Sequence, residues 1–199
     1  MRIKICGLRR EEDIDYVNKL KPDYVGFIFA KSKRQVSVQQ GMELAKKVAR
    51  GIKKVGVFVN SPTKEVKEIA RICELDVLQF HGEEEPDSIQ NYHQDVWKAF
   101  RIKDENSFKR LDEYSVKGYL LDTFMDGEIG GTGRTFDWSL IPDVHKEKFI
   151  ILAGGLVLEN IISAIDMVHP HVVDINSGVE INGYKDFNKM KEIIEKVRK

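Results

Sequence analysis

A closed barrel of eight parallel strands, each followed by a helix, is the fold the sequence predicts. Three observations carry it. Short apolar runs rich in β-branched and aromatic residues alternate with amphipathic stretches. The alternation repeats eight times, the number of units that closes a barrel. The 199 residues suffice for one sizeable core, without a linker or low-complexity segment to divide them. Residues 1–199 therefore read as a single α/β domain, a compact (β/α)8 or TIM barrel, against about 250 residues for a typical one. An open doubly wound sheet would hold unusually many strands for this length.

The expected strands are residues 3–6, 24–29, 54–59, 77–81, 96–100, 118–122, 149–153 and 172–175. In the first, Ile3 and Ile5 alternate with polar residues; Gly7 breaks the run, and Glu11-Glu12-Asp13 opens a helix over 11–20. The strand is expected to open the fold, since only Met1 precedes it. The later helices are expected at 38–49, 62–72, 86–92, 104–111, a short piece at 138–141, 158–167 and 184–198.

Composition excludes several classes. Lys and Arg number 32, as do Asp and Glu, so the chain carries no basic footprint for nucleic acid or an anionic membrane. No apolar run reaches the roughly 18 residues of a membrane span, and charges interrupt any signal-peptide pattern. Two cysteines, Cys6 and Cys73, make no disulfide framework, which points to a reducing cytoplasm and leaves thiols free. Cys73 reads as core filler at a helix end.

Strand parity places polar groups at one end. Side chains alternate faces, so Lys4 shares a face with Cys6, Gln79 with His81, and Val172 with Asp174. If Cys6 faces the mouth, Lys4 lies inside the barrel below it, while Ile3, Ile5 and Leu121 face the helices. Lys4, Gln79, Asp122 and Asp174 then converge above an apolar core, and buried charges need partners.

Ligands bind at the carboxyl ends of the strands in this fold. Cys6 stands at such an end; alone it reads first as a small core residue, the commonest fate of a free cysteine, but its place at a strand end and the nearby lysine, which favours a thiolate, point to function. Asp122 ends the sixth strand, either as an N-cap or turn residue or as part of a polar site at the mouth. The long loop after it holds Gly127, Gly130, Gly131 and Gly133, and matches neither a P-loop nor G-x-G-x-x-G. Gly154-Gly155 and Asn176-Ser177-Gly178 follow strands seven and eight, where backbone N–H groups commonly hold phosphate. Arg34 follows strand two, where it can pair with a carboxylate. His81 ends strand four, open to a structural, ligand-binding or acid–base role. No Cys/His cluster has zinc-like spacing, so no metal is implied.

In order along the chain stand Lys4-Ile5-Cys6-Gly7; Gly26-Phe27-Ile28-Phe29 with Ser32-Lys33-Arg34; Val55-Gly56-Val57-Phe58-Val59-Asn60; and Leu78-Gln79-Phe80-His81-Gly82. Leu121-Asp122, Gly130-Gly131-Thr132-Gly133, Phe136-Asp137-Trp138, Ala153-Gly154-Gly155-Leu156 and Asp174–Glu180 follow. As an ordered set these blocks resemble the phosphoribosylanthranilate isomerase family of tryptophan biosynthesis over the whole length. Two departures are Lys31, where the family often has proline, and Asn176, where serine is common.

The resemblance implies an Amadori rearrangement of N-(5-phosphoribosyl)anthranilate to 1-(2-carboxyphenylamino)-1-deoxyribulose 5-phosphate. It makes Cys6 the base and Asp122 the acid. It gives Arg34 the anthranilate carboxylate, with His81 and Asp174 as further substrate contacts. It gives phosphate to Gly154, Gly155, Asn176, Ser177 and Gly178. No cofactor is implied, because an imine serves as electron sink. The acid must start protonated and the base deprotonated, so Cys6 is expected to have a lowered pKa. The implied partner is the small-molecule substrate, with no nucleic acid and no membrane, for a monomer or homodimer. Other readings are another phosphate-binding barrel enzyme of the tryptophan or histidine pathways, or a barrel that binds sugar phosphate without turnover. Indole-glycerol-phosphate synthase, one such barrel, is expected to carry an extra segment before its first strand.

Overall fold

The computed structural model describes residues 1–123, 137–141 and 147–199. The glycine-bearing loop after the sixth strand, with Gly127, Gly130, Gly131, Gly133 and Phe136, lies outside the described residues.

Eight parallel strands close into a barrel in sequence order: β1 Arg2–Cys6, β2 Tyr24–Ile28, β3 Lys53–Phe58, β4 Val77–Phe80, β5 Asp95–Ile102, β6 Gly118–Thr123, β7 Ile150–Leu152 and β8 Val172–Ile175. Closure comes from β1 against β8, with Lys4 opposite Asp174. The helices are α1 Glu11–Leu20, α2 Val38–Lys46, α3 Thr63–Ile72, α4 Ile161–Val168 and α5 Phe187–Arg198. In α3, Val66, Ile69 and Ala70 are buried, the i, i+3, i+4 spacing of a helix laid on a sheet.

Parity sorts the core into two layers, as expected. Outward residues such as Ile3, Ile5, Leu78, Leu121 and Val173 pack under the helices. Inward residues Tyr24, Val55, Val77, Trp97, Leu120, Ile151 and Val172 fill the barrel and share no cluster with the first set. Lys4, Gln79 and Asp174 sit on the same inward face and are buried, forming a polar layer over that apolar plug.

Three expected helices differ. Residues 86–92 form only a 3-10 turn, Pro86–Ile89, and 104–111 become a 3-10 helix, Glu105–Glu113. There Phe108, Leu111 and Tyr114 are buried at intervals of three, which suits three residues per turn better than 3.6. The last helix starts at Phe187 rather than 184, because a hairpin of β9 Glu180–Ile181 and β10 Tyr184–Lys185 precedes it. Asn182 and Gly183 both have positive φ, 52° and 78°, which a two-residue Asn-Gly turn requires.

Candidate active site

A cleft of about 810 Å³ opens at the carboxyl ends of the strands. Cys6, Arg34, His81, Asp122, Asp174, Gly154, Gly155, Asn176 and Ser177 all line it, drawn from six different strand ends. Gly178 does not line it. A side chain there would collide with the Leu156 carbonyl, so this glycine lets loops seven and eight touch. Gly154 and Gly155 have φ of 84° and 63°, a left-handed pair that only glycine adopts cheaply. The former abuts Asp122 and Thr123.

Cys6 is the last residue of β1, and Gly26 lies opposite it on β2. A Cβ at position 26 would come 2.6 Å from the Cys6 Sγ and 3.2 Å from the Lys4 Cε. Gly26 thus makes room for the thiol and the lysine stem together. Below, the fully buried Lys4 Nζ donates to Asp174 Oδ2 at 2.7 Å and to Gln79 Oε1 at 2.8 Å. Gln79 Nε2 is 3.0 Å from His81 Nδ1, and His81 Nε2 is 3.1 Å from Asp122 Oδ2. Asp122 Oδ1 accepts from the Thr123 N–H at 2.8 Å.

The thiol corrects one expectation. Burial pushes the Cys6 pKa up rather than down; the charges of Lys4 and Lys185 pull the other way, and Asp174 adds to the rise. Desolvation disfavours the thiolate more than the ammonium favours it. Burial also works against the Lys4 ammonium, but Asp174 beside it leaves its pKa above the ordinary value. One oxygen of Asp174, Oδ1, is buried with no hydrogen-bond partner among the described residues. A carboxylate oxygen so placed is ready to accept a hydroxyl.

Two groups that the sequence reading did not single out complete the other rim. Arg34 reaches the cleft, but its Nε and Nη2 already donate to Glu180 Oε1 and Oε2, each at 2.7 Å. Buried Lys185 donates to Glu180 Oε1 at 2.8 Å and to the Asn176 carbonyl and Oδ1 at 2.8 and 2.9 Å. Burial alone would raise the Glu180 pKa; the Arg34 hydrogen bond and the Lys185 charge hold it down to about 2. The signal for both groups was the hairpin they flank, Glu180 to Lys185 around Asn182-Gly183. A third tie, also not singled out, braces the loop after His81. Glu84 accepts from the Asn60 and Gly82 N–H groups and pairs with Lys98 Nζ at 3.2 Å.

A parallel barrel with a thiol, a carboxylate and two glycine-rich turns at one mouth is the layout of a small-molecule enzyme acting on a phosphorylated substrate. The family model for N-(5'phosphoribosyl)anthranilate isomerase matches residues 3–196, and the chain belongs to that family. It is 52% identical over 199 residues to the N-(5'-phosphoribosyl)anthranilate isomerase of Thermoanaerobacter sp. (strain X514), covering 100% of this chain and 98% of the relative. Among solved structures it is similar to monomers generated from the dimeric phosphoribosylanthranilate isomerase of Thermotoga maritima. There the TM-score is 0.89 and the identity 35%, over 100% of this chain and 98% of that one. It is also similar to a phosphoribosyl anthranilate isomerase in complex with reduced 1-(o-carboxyphenylamino)-1-deoxyribulose 5-phosphate, with TM-score 0.86 and 33% identity, at the same coverages.

Proposed function

We propose that Asp122 and Cys6 divide between them the two proton transfers of the Amadori rearrangement. As a member of its family the chain isomerises N-(5'-phosphoribosyl)anthranilate to 1-(2-carboxyphenylamino)-1-deoxyribulose 5-phosphate. Asp122 gives its proton to the furanose ring oxygen; the C1–O bond breaks, and the nitrogen lone pair forms an iminium at C1. Cys6, once its own proton has passed to solvent and it is a thiolate, then takes the C2 proton, and the C–H electrons move into a C1–C2 double bond and neutralise the iminium. The enolamine that results tautomerises to the ketone. No bound metal or redox group enters this account, because the iminium is the electron sink.

The single observation that carries this reading is the pair Cys6 and Asp122 in one cleft, at the ends of β1 and β6. Their order follows from electrostatics. A buried thiol with a raised pKa is a poor base in the free enzyme. Ring opening places a cation beside it, and a neighbouring cation favours the thiolate. The acid step therefore prepares the base step.

The remaining site residues bind. Arg34 keeps N–H groups beyond the two given to Glu180, enough to meet the anthranilate carboxylate. Asp174 Oδ1 accepts a sugar hydroxyl. The N–H groups of Gly154 and Gly155 with those at Asn176 and Ser177 hold the phosphate, a donor set suited to an anion. His81 contacts substrate or acid from strand four. Gly178 supports the phosphate turn by close packing. The whole chain works as one domain, as a monomer or homodimer in the cytoplasm; its two free cysteines suit that compartment.

The test is a spectroscopic isomerisation assay on freshly made phosphoribosylanthranilate. Turnover that saturates with substrate is expected. Binding that saturates without product would favour the non-catalytic barrel instead.

A further inference from the structure

The hydrogen bonds between the two halves of the site leave no freedom in where their protons lie. Lys4 Nζ is 2.8 Å from one end of the Gln79 amide. An ammonium only donates, so the atom facing it is the oxygen, Oε1. The NH2 end of the same amide therefore faces His81 Nδ1, 3.0 Å away. An amide NH2 only donates, so Nδ1 accepts and carries no proton. The neutral ring then has its proton on Nε2, 3.1 Å from Asp122 Oδ2. A charge buried on β1 thus determines the tautomer of a histidine on β4, and through it what the carboxyl on β6 receives.

We propose that Gln79 is a positioning residue: its amide, oriented by Lys4, locks His81 in the Nε2–H tautomer so that the ring donates to Asp122 Oδ2. That oxygen then has a fixed donor, while Oδ1 accepts from the Thr123 N–H. The carboxyl plane is pinned from both sides, which holds the acid in one orientation toward the cleft. The opposite tautomer would turn a bare nitrogen lone pair toward Oδ2, so the ring could hold the carboxyl only by accepting from its O–H, the proton the acid must give to substrate. Gln79 is 2% exposed and its two amide ends are engaged by Lys4 and His81, which holds the amide in one orientation. The proposal rests on the reading of Asp122 as the acid.

The experiment is long-range 1H–15N NMR on protein labelled at its histidines, above the ordinary imidazole pKa, with the His81 signals assigned from a His81→Asn variant. The wild type is expected to show a bare Nδ1 and a protonated Nε2. Gln79→Glu keeps an acceptor for Lys4 but presents a second acceptor to the ring, so Nδ1 is expected to become protonated. Its kcat should fall about 10- to 100-fold with KM nearly unchanged, part of what a positioned acid contributes. If that variant does not fold by circular dichroism, Gln79→Met replaces it: both tautomers should appear and kcat should fall a few-fold.

A wild-type ring with its proton on Nδ1 overturns the proposal. So does an unchanged tautomer in Gln79→Glu, or a changed tautomer with unchanged kcat. Asp122→Asn, assayed in parallel, separates the two levels. If it keeps normal kcat, the acid assignment itself fails, whatever the ring shows.

Discussion

On the β1/β8 wall of the mouth, Cys6 sits in a field of charges: Lys4, Asp174 and Lys185 all act on it. On the β4/β6 wall, Asp122 meets one imidazole and one backbone N–H among the described residues. The first wall is built from ion pairs that are nearly solvent-free, Lys4 with Asp174 and Lys185 with Glu180. The second is built from single hydrogen bonds, from an imidazole and a backbone N–H. The difference matches the work each has to do. A thiol that must become an anion needs cations within reach, whereas a carboxyl that must hand over a proton needs a fixed orientation, which directional hydrogen bonds supply. The charges also come at a structural cost, since a buried pair is destabilising once one partner is removed.

The contrast can be broken most severely at the acid. Asp122→Asn should lower kcat by about 10²–10⁴-fold, roughly 3–5 kcal/mol of barrier, with KM little changed. Steady-state kinetics on protein with a wild-type circular dichroism spectrum checks this. Next comes the charged wall. Lys4→Met leaves Asp174 buried without its cation and should cost about 3–5 kcal/mol of stability, read from urea unfolding. On the other wall, His81→Asn removes a hydrogen-bond partner of Asp122 and should cost less, about 1–3 kcal/mol. If the two variants lose equal stability, the walls do not differ in the way described.

A third prediction concerns acid. The Glu180 carboxyl titrates at about 2 in the folded protein and at 4.5 as a free side chain. A depressed folded-state pKa gives stability that is fully present above pH 4.5 and is lost as pH falls toward 2. The amount is about 3 kcal/mol. Urea midpoints measured across that window should fall in the wild type, and should fall less in Glu180→Gln, which starts lower at neutral pH. The smallest effect is expected at Asn176→Ala. That change removes one of three acceptors of Lys185, worth about 1 kcal/mol of stability, and leaves the backbone donors in place. KM should rise only about two- to threefold, the low end of what one hydrogen bond contributes. A large loss of substrate affinity would move the phosphate contact to the Asn176 side chain.

The two walls were not equally legible in the sequence. Period-two alternation placed Lys4 under Cys6 and Gln79 under His81 before any geometry was known, because a strand's faces follow from residue number alone. The strand ends in this fold are a known address, so Cys6, His81, Asp122 and Asp174 could be gathered to one mouth. The sign of the Cys6 pKa shift was not legible: it depends on how much burial outweighs two cations, and burial is a three-dimensional quantity. Glu180 and Lys185 have no such address: Asn182-Gly183 between them marks a hairpin, but the helical pattern expected from 184 covers Lys185 and hides the hairpin's second strand. Gly178 reads in the sequence as a phosphate donor; that its lack of a side chain also makes space for the Leu156 carbonyl is visible only in three dimensions. Glycine's identity announces that something is close, not what that neighbour is.

The central claim is that Cys6 removes the C2 proton after Asp122 has opened the ring. Its most direct test is the kcat and KM of Cys6→Ser, measured on folded protein with freshly made phosphoribosylanthranilate. A hydroxyl is far harder to deprotonate than a thiol, so kcat should fall by about 10²–10⁴-fold while KM changes little. A near-normal kcat in Cys6→Ser would contradict the account and make His81 the next candidate for the base.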